Sequence, residues 1–360
     1  MGEYSSDKAL FHTEKLTILR NGGQPYPIHV QVIISDYCNQ NCSFCSYRMK
    51  DYSSNQLFKI IDNGVVNNNP KRMIPWSKLQ ELSDDFVAMG VKAVQVTGGG
   101  EPTVHPQFND FCQSIFDRNI NLAVVTNGLL MNQKRAELLA QAAWLRISVD
   151  CACPESYSRI RDVPAAEYDI IAKNVKRLTS IPGRKAVVGI GFVVTKDNYR
   201  EIYEGCRQFK EWGADNVRIS AIFQNDGHNY FENICEEIQD QIAMSLTLSD
   251  EKFKVFNNFK SRYSDLELGN PDYSFCPYMN MTTYIGGDQN VYTCCVNAYN
   301  ERGVVGSIKD QSFKQLWDGQ KKQDFFGGFD AKNCVRCMFN EKNRFINGVL
   351  RKPTVHDDFV

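Results

Sequence analysis

From Val91 onward the chain alternates strands with helices, and that alternation limits what it can fold into. Val91–Val96, Asn121–Thr126, Leu145–Val149, Val187–Val194 and Val217–Ile222 read as strands, rich in β-branched residues. Between them, Pro106–Arg118, Gln133–Ala142, Ala166–Leu178 and Arg200–Trp212 read as helices. An earlier pair fits the series. His29–Ser35 is a buried strand, and Trp76–Met89 is a helix with Leu79, Leu82, Phe86 and Met89 on one face. Such units close only through right-handed crossovers onto a parallel sheet. Six of them predict an α/β fold, a partial (β/α)6 TIM-like barrel rather than a closed eightfold one. In such folds the chemistry gathers at the C-terminal ends of the strands.

The end of the first strand carries the densest set of reactive groups. Cys38, Cys42 and Cys45 follow it in a C-x3-C-x2-C spacing. The chain has 13 cysteines. In a compartment that keeps thiols reduced, clustered cysteines point to metal or catalysis. Structural zinc wants four ligands in a closed tetrahedron. Three thiolates on an iron–sulfur cluster instead leave one iron open.

The second strand ends in T-G-G-G-E-P, Thr97–Pro102. Glycine lets a backbone approach a ligand with no Cβ in the way, and Glu101 beside it can receive an ammonium. T-N-G, Thr126–Gly128, ends the third strand, and S-V-D, Ser148–Asp150, the fourth.

A second cysteine group lies far downstream: Cys276, Cys294 and Cys295, then Cys334 and Cys337. Neighbours on a strand point to opposite faces, so only one of Cys294 and Cys295 can face a shared centre. Four thiolates there suit zinc or an iron–sulfur cluster equally. Cys112, Cys151, Cys153, Cys206 and Cys235 are scattered and read mostly as small core residues.

The C-x3-C-x2-C loop with Phe44, followed one strand later by Gly99, Gly100 and Glu101, resembles the signature of the radical S-adenosylmethionine (SAM) superfamily. The resemblance implies that Cys38, Cys42 and Cys45 hold a [4Fe–4S] cluster whose open iron chelates SAM. An electron from it would cleave SAM to methionine and a 5′-deoxyadenosyl radical, which takes hydrogen from a substrate. It also implies that Phe44 and Val193 lie near the adenine and that Gly99, Gly100 and Glu101 bind the amino group. Asn127, Ser148 and Asp150 would contact ribose and carboxylate or line the substrate pocket, and Arg161 would pair with the carboxylate.

The second cysteine group, with G-G-D-Q-N-V-Y-T-C leading into Cys294, resembles the C-terminal auxiliary-cluster domains of the SPASM and shortened twitch types. A full SPASM domain needs more cysteines than the five present here. The twitch arrangement therefore follows: one auxiliary [4Fe–4S] cluster on Cys276, Cys294, Cys334 and Cys337, with Cys295 the alternative to Cys294. The departures are a long insertion at 51–73 and the doubled Cys294–Cys295.

The implied activity is an oxidation, by dehydrogenation or bond formation, that uses the auxiliary cluster. The short segment before the first strand leans toward a small polar metabolite such as an aminocyclitol or sugar. Maturation of a ribosomal peptide or protein, and epimerisation, are the alternatives. Epimerisation needs a thiol to return a hydrogen, and Cys235 and Cys295 are the candidates. Arg218 could bind an anionic substrate or assist deprotonation. A reading from another class is a non-catalytic zinc- or cluster-binding scaffold. The family also implies an electron donor such as flavodoxin or ferredoxin.

A formal net charge of −1 gives no bulk pull toward nucleic acid or an anionic membrane. No secretory signal or membrane span is legible, so a cytoplasmic protein is expected. The expected divisions are an N-terminal extension at 1–27, the barrel at 28–225, a helical bridge at 226–270, the auxiliary-cluster domain at 271–345 and a tail at 346–360.

Overall fold

The computed structural model describes residues 5–47, 72–224, 226–264 and 269–359. Of the insertion at 51–73, only Arg72 and Met73 fall within them. Strands β1 (His29–Ile33), β2 (Ala93–Thr97), β3 (Asn121–Thr126), β4 (Trp144–Ser148), β5 (Val187–Val194) and β6 (Asn216–Ala221) lie side by side in chain order. All five pairings between them are parallel, as in the expected partial barrel. Helix α1 (Thr13–Arg20) precedes them. Helices α2 (Trp76–Ala88), α3 (Phe108–Asp117), α4 (Gln133–Leu139), α5 (Pro154–Arg161), α6 (Ala166–Thr179) and α7 (Ile202–Glu211) connect them.

The sequence pattern explains how the layers separate. Along β2 and β4, Val94, Val96, Leu145 and Ile147 are buried under the helices, while the alternate residues Gln95, Thr97, Trp144, Arg146 and Ser148 face the barrel lumen. Helix α3 answers with Phe108, Phe111, Cys112 and Ile115 on one face, all fully buried. Each such side chain contributes about 1.5–3 kcal/mol. Cys112, Cys151 and Cys206 sit in this core, as their scattered positions suggested.

The span read as a helical bridge holds helix α8 (Cys235–Leu246) but also strand β7 (Lys254–Asn257), which pairs parallel with β6, and then helix α9 (Phe259–Ser264). Strand β7 has only four residues with polar ends, too short for periodicity to show.

The cysteine-rich segment is not a detached module. After helix α10 (Pro277–Met281), strand β8 (Thr282–Ile285) pairs parallel with β1, and β9 (Asn290–Tyr292) and β10 (Val304–Ser307) continue antiparallel. Helices α11 (Phe313–Asp318), α12 (Gln320–Gly328) and α13 (Asn340–Leu350) follow. The expected N-terminal extension supplies α1, whose Leu16 and Leu19 pack with Ile28, Met281 and Ile346. No helix among the described residues is long and apolar enough to cross a membrane.

Candidate active site

The three-cysteine loop leaves β1 and is fastened on three sides. Gly100 N donates to Ser35 O (3.2 Å), and Glu101 N donates to Tyr37 O (2.9 Å). Asn41 N and Ser43 N donate to Arg161 O and Ile160 O at the end of α5. Gly100 is required by the protein's own backbone: a Cβ there would lie 2.1 Å from Tyr37 O. The glycine run, read as room for a ligand, thus also gives the cysteine loop room to dock.

Asp36, fully buried just before the cysteines, accepts from Arg72 Nε (2.7 Å) and from the Tyr299 hydroxyl. Burial pushes its carboxyl up to about 6, against the pull of Arg72. Tyr299 also accepts from Gly287 N (3.0 Å), which clamps the loop to the C-terminal segment. Sequence reasoning passed over this pair because its partners are 263 residues apart.

Cys38, Cys42 and Cys45 line one side of a cavity of ≈370 Å³. Phe44, the Gly98–Glu101 turn, Asn127, Ser148, Arg161, Val193 and Arg218 line the rest of it. Burial pushes the Cys38 thiol up to about 12, so a bound cationic centre is what would hold it as a thiolate. The buried Ser220 Oγ, on the β6 wall of the same cavity, has no hydrogen-bond partner among the described residues. An orphaned buried hydroxyl on a residue that borders a cavity fits a polar ligand bound there. Serines at strand ends are common, which is why the sequence alone did not single it out.

Glu101 is buried and already engaged. Its Oε1 accepts from Thr103 N (3.0 Å) and Thr126 Oγ1 (2.6 Å), and its Oε2 from Asn127 N (2.7 Å). One Oε2 lone pair is left for a cation in the cavity. Asn127 Nδ2 donates to Asn39 Oδ1 (2.8 Å), tying the third strand end to the cysteine loop.

Arg161 is held from behind. Its guanidinium pairs with Asp150 and donates to Gln40 Oε1 (3.1 Å) and toward Cys42 Sγ (3.5 Å), with the Phe44 ring 5.5 Å away. Burial alone would lower its pKa, yet the negative charges of a Cys42 thiolate and the Asp150 carboxylate keep it well above the ordinary arginine value. Asp150, expected to contact ribose and carboxylate or to line the substrate pocket, borders not this cavity but the lumen cavity beneath it. It has φ 65°, its Oδ1 accepts from Val193 N (2.6 Å), and its Oδ2 pairs with Arg161.

A second cavity, ≈620 Å³, fills the barrel lumen beneath the first. Tyr47, Ser148, Val193 and Arg218 line both. On the far side the lumen is walled by Tyr278, Tyr284, Cys295 and Phe339.

Cys276, Cys294, Cys334 and Cys337 line a third, closed and almost wholly apolar pocket. Burial pushes Cys276 up to about 12. Tyr273 Oη donates to Cys337 Sγ (3.4 Å), as does Phe339 N (3.3 Å). The doubled cysteine is thereby divided: Cys294 faces this pocket and Cys295 faces the lumen. Among the described residues, no three Cys, His, Asp or Glu side chains converge tightly enough to hold a single metal ion. Both thiol groups border cavities, and their donor chemistry fits iron–sulfur clusters. Cys235 opens α8, where its Sγ accepts from Gln239 Nε2 (3.4 Å), and it lines none of the three cavities. Of the two candidate thiols, Cys295 borders the lumen.

Comparison with known proteins agrees with this layout. Residues 32–209 match the Radical SAM superfamily, and residues 276–338 match the SPASM iron–sulfur cluster-binding domain. A tungsten-containing aldehyde ferredoxin oxidoreductase cofactor-modifying protein of Pyrococcus furiosus is 22% identical over 87% of this chain and 88% of its own. A GTP 3′,8-cyclase of Staphylococcus epidermidis is 22% identical over 88% of this chain and 94% of its own. The crystal structure of Streptococcus suis SuiB bound to precursor peptide SuiA superposes with a TM-score of 0.62 and 15% identity, covering 98% of this chain and 80% of that one. The chain belongs to the radical SAM superfamily and carries a C-terminal SPASM domain, so its cofactors are SAM, a SAM-binding [4Fe–4S] cluster and auxiliary iron–sulfur.

Proposed function

We propose that this radical SAM enzyme oxidises a substrate held in the barrel lumen, by dehydrogenation or bond formation. The observation that carries the reading is the continuity of that lumen. Tyr47, Ser148, Val193 and Arg218 connect it to the three-cysteine cavity, and Tyr278 and Phe339 line both it and the four-cysteine pocket. When bound, SAM and its cluster supply a hydrogen-abstracting 5′-deoxyadenosyl radical, and the auxiliary cluster an acceptor for the second electron of a two-electron oxidation. Arg161, fixed by Asp150 and Gln40, presents a permanent cation where a SAM carboxylate would sit. Glu101 offers its remaining lone pair to the SAM ammonium. An external one-electron donor of the flavodoxin or ferredoxin kind supplies the reductant.

The aminocyclitol or sugar reading draws no support from the relatives, whose names speak of a GTP cyclase and a cofactor-modifying protein, or from the peptide-bound SuiB fold. A second reading rests on Cys295. Its thiol faces the lumen, the placement required to return a hydrogen atom in an epimerisation.

Anaerobic reconstitution tests both readings. The expected protein holds about eight irons and eight sulfides per chain and, with dithionite, converts SAM to 5′-deoxyadenosine. Zinc without sulfide, or no cleavage, would sink the proposal. With substrate, oxidation gives a product lighter by two hydrogens. Epimerisation gives an isomer that carries one solvent deuterium and is lost in Cys295→Ala.

A further inference from the structure

Two of the three cysteines that follow β1 accept hydrogen bonds at sulfur from the protein itself. Gln40 N donates to Cys38 Sγ (3.4 Å), and Arg161 Nη1 donates to Cys42 Sγ (3.5 Å). The first bond is a local turn. The second joins residues 119 apart and sets a cation against a sulfur. Binding a SAM carboxylate does not call for that contact.

The contact is built from both sides. On the main-chain side, Asn41 N and Ser43 N donate to Arg161 O (3.0 Å) and Ile160 O (2.9 Å). Asn41 Nδ2 donates to Asp162 Oδ2 (2.7 Å), and Asp162 ends α5 in the left-handed region, at φ 52°. That conformation is uncommon for a residue other than glycine. Cys42 lies between the two donating amides, so main-chain bonds fix where it stands against the end of α5.

On the side-chain side, the guanidinium is shared out atom by atom. Nη2 pairs with Asp150, and Nη1 donates to Gln40 Oε1 (3.1 Å) as well as to Cys42. The Gln40 amide is itself held, because its Nε2 donates to Tyr157 Oη (2.7 Å) and Glu167 Oε2 (3.2 Å). Turned round, it would set its oxygen against the Glu167 carboxylate and its NH2 against the guanidinium. The buried Nε of Arg161 has no hydrogen-bond partner among the described residues, and Arg161 borders the three-cysteine cavity. Nε is therefore left for a ligand carboxylate while Nη1 serves the sulfur, so the two tasks use different atoms.

A hydrogen bond to a ligand sulfur stabilises the more negative, reduced form of an iron–sulfur cluster and raises its potential. We propose that Arg161 tunes the potential of the SAM-binding cluster through Cys42, with Gln40, Tyr157 and Glu167 holding the guanidinium in place. The inference rests on the reading of Cys38, Cys42 and Cys45 as the cluster ligands. Its consequence falls on electron entry: the cluster accepts an electron from a milder external donor than it would with a bare Cys42 sulfur.

A redox titration followed by electron paramagnetic resonance tests this on the anaerobically reconstituted full-length protein, without SAM. The signal of the first cluster is the one missing from the Cys38→Ala/Cys42→Ala/Cys45→Ala variant. Asp150→Asn/Arg161→Gln removes the donor, strands no carboxylate and leaves the net charge as it was. It should make the first cluster about tenfold harder to reduce, a midpoint about 59 mV more negative for one electron, while the auxiliary signal keeps its potential. If that variant does not fold, Arg161→Lys, which keeps the cation but loses the fork, should shift the midpoint in the same direction. The tuning role is overturned if the folded variant's first cluster titrates at the wild-type potential, or if both clusters shift alike. Either result leaves the ligand reading standing. Persistence of every cluster signal in the triple alanine variant would overturn the ligand reading itself, and the tuning with it.

Discussion

Asp150 and Arg161 form an ion pair with neither side chain open to solvent, at 1% and 5% exposure. Such a pair gains little over an apolar substitute, but breaking it leaves a charge stranded. Asp150→Ala should therefore cost about 3–5 kcal/mol and release Arg161 from its orientation toward Cys42 and Gln40. Urea denaturation and SAM titration check this together. Wild-type SAM affinity in a folded Asp150→Ala protein would show that Asp150 positions nothing.

The division of Cys294 from Cys295 predicts opposite metal contents. Cys294→Ala should lose about four irons and their sulfides, while Cys295→Ala keeps the full complement. Iron and sulfide analysis decides it, and equal losses in the two variants would contradict the assignment of their faces.

Gly100 has no room for a methyl group, because the backbone of Tyr37 occupies it. Gly100→Ala should cost about 3 kcal/mol or more, since backbone rather than a flexible side chain must give way. The cysteine loop would be displaced. Anaerobic reconstitution of the variant should leave the first cluster site depleted while the Cys276, Cys294, Cys334 and Cys337 pocket fills normally. A variant with both sites filled would show that the close approach is dispensable.

Lys322 is buried, with its ammonium 4.6 Å from the Trp317 ring and 4.4 Å from the Phe326 ring, and it donates to Gln24 Oε1 (2.9 Å). Burial lowers its pKa to about 8 from 10.5. Between those values the unfolded chain binds more protons than the folded one, so this residue makes stability rise with pH across the window. Lys322→Met removes the buried charge while keeping the stem. It should raise the melting temperature at pH 7 and narrow its advantage over the wild type by pH 10. A lower melting temperature at pH 7 would mean that the contacts with the two rings outweigh the desolvation.

Much of this arrangement was legible in the sequence. The alternation of Val94 and Val96 with Gln95 marks a strand, and the Phe108, Phe111, Cys112, Ile115 spacing marks a helix, because both signals are local. The three cysteines and the glycine turn gave the site for the same reason. Strand β7 was hidden by its shortness, and α1 by a polar surface with only Leu16 and Leu19 buried. What could not be read was contact across the chain. Asp36 with Tyr299 and Arg161 with Cys42 are made by the fold, not by spacing. The sequence favoured Cys294 as the cluster ligand with Cys295 as the alternative, and the fold turns Cys294 toward the four-cysteine pocket and Cys295 toward the lumen.

The pairing of β1 with β8 has a kinetic side. His29 and its neighbours gain β2 early in synthesis, but their other edge waits for Thr282–Ile285. Until then the barrel is an open sheet with an unpaired apolar margin beside the cysteine loop. The distance in sequence makes this closure slow. The edge of β1 that leads into the cysteine loop is therefore completed only when a strand from far downstream docks against it.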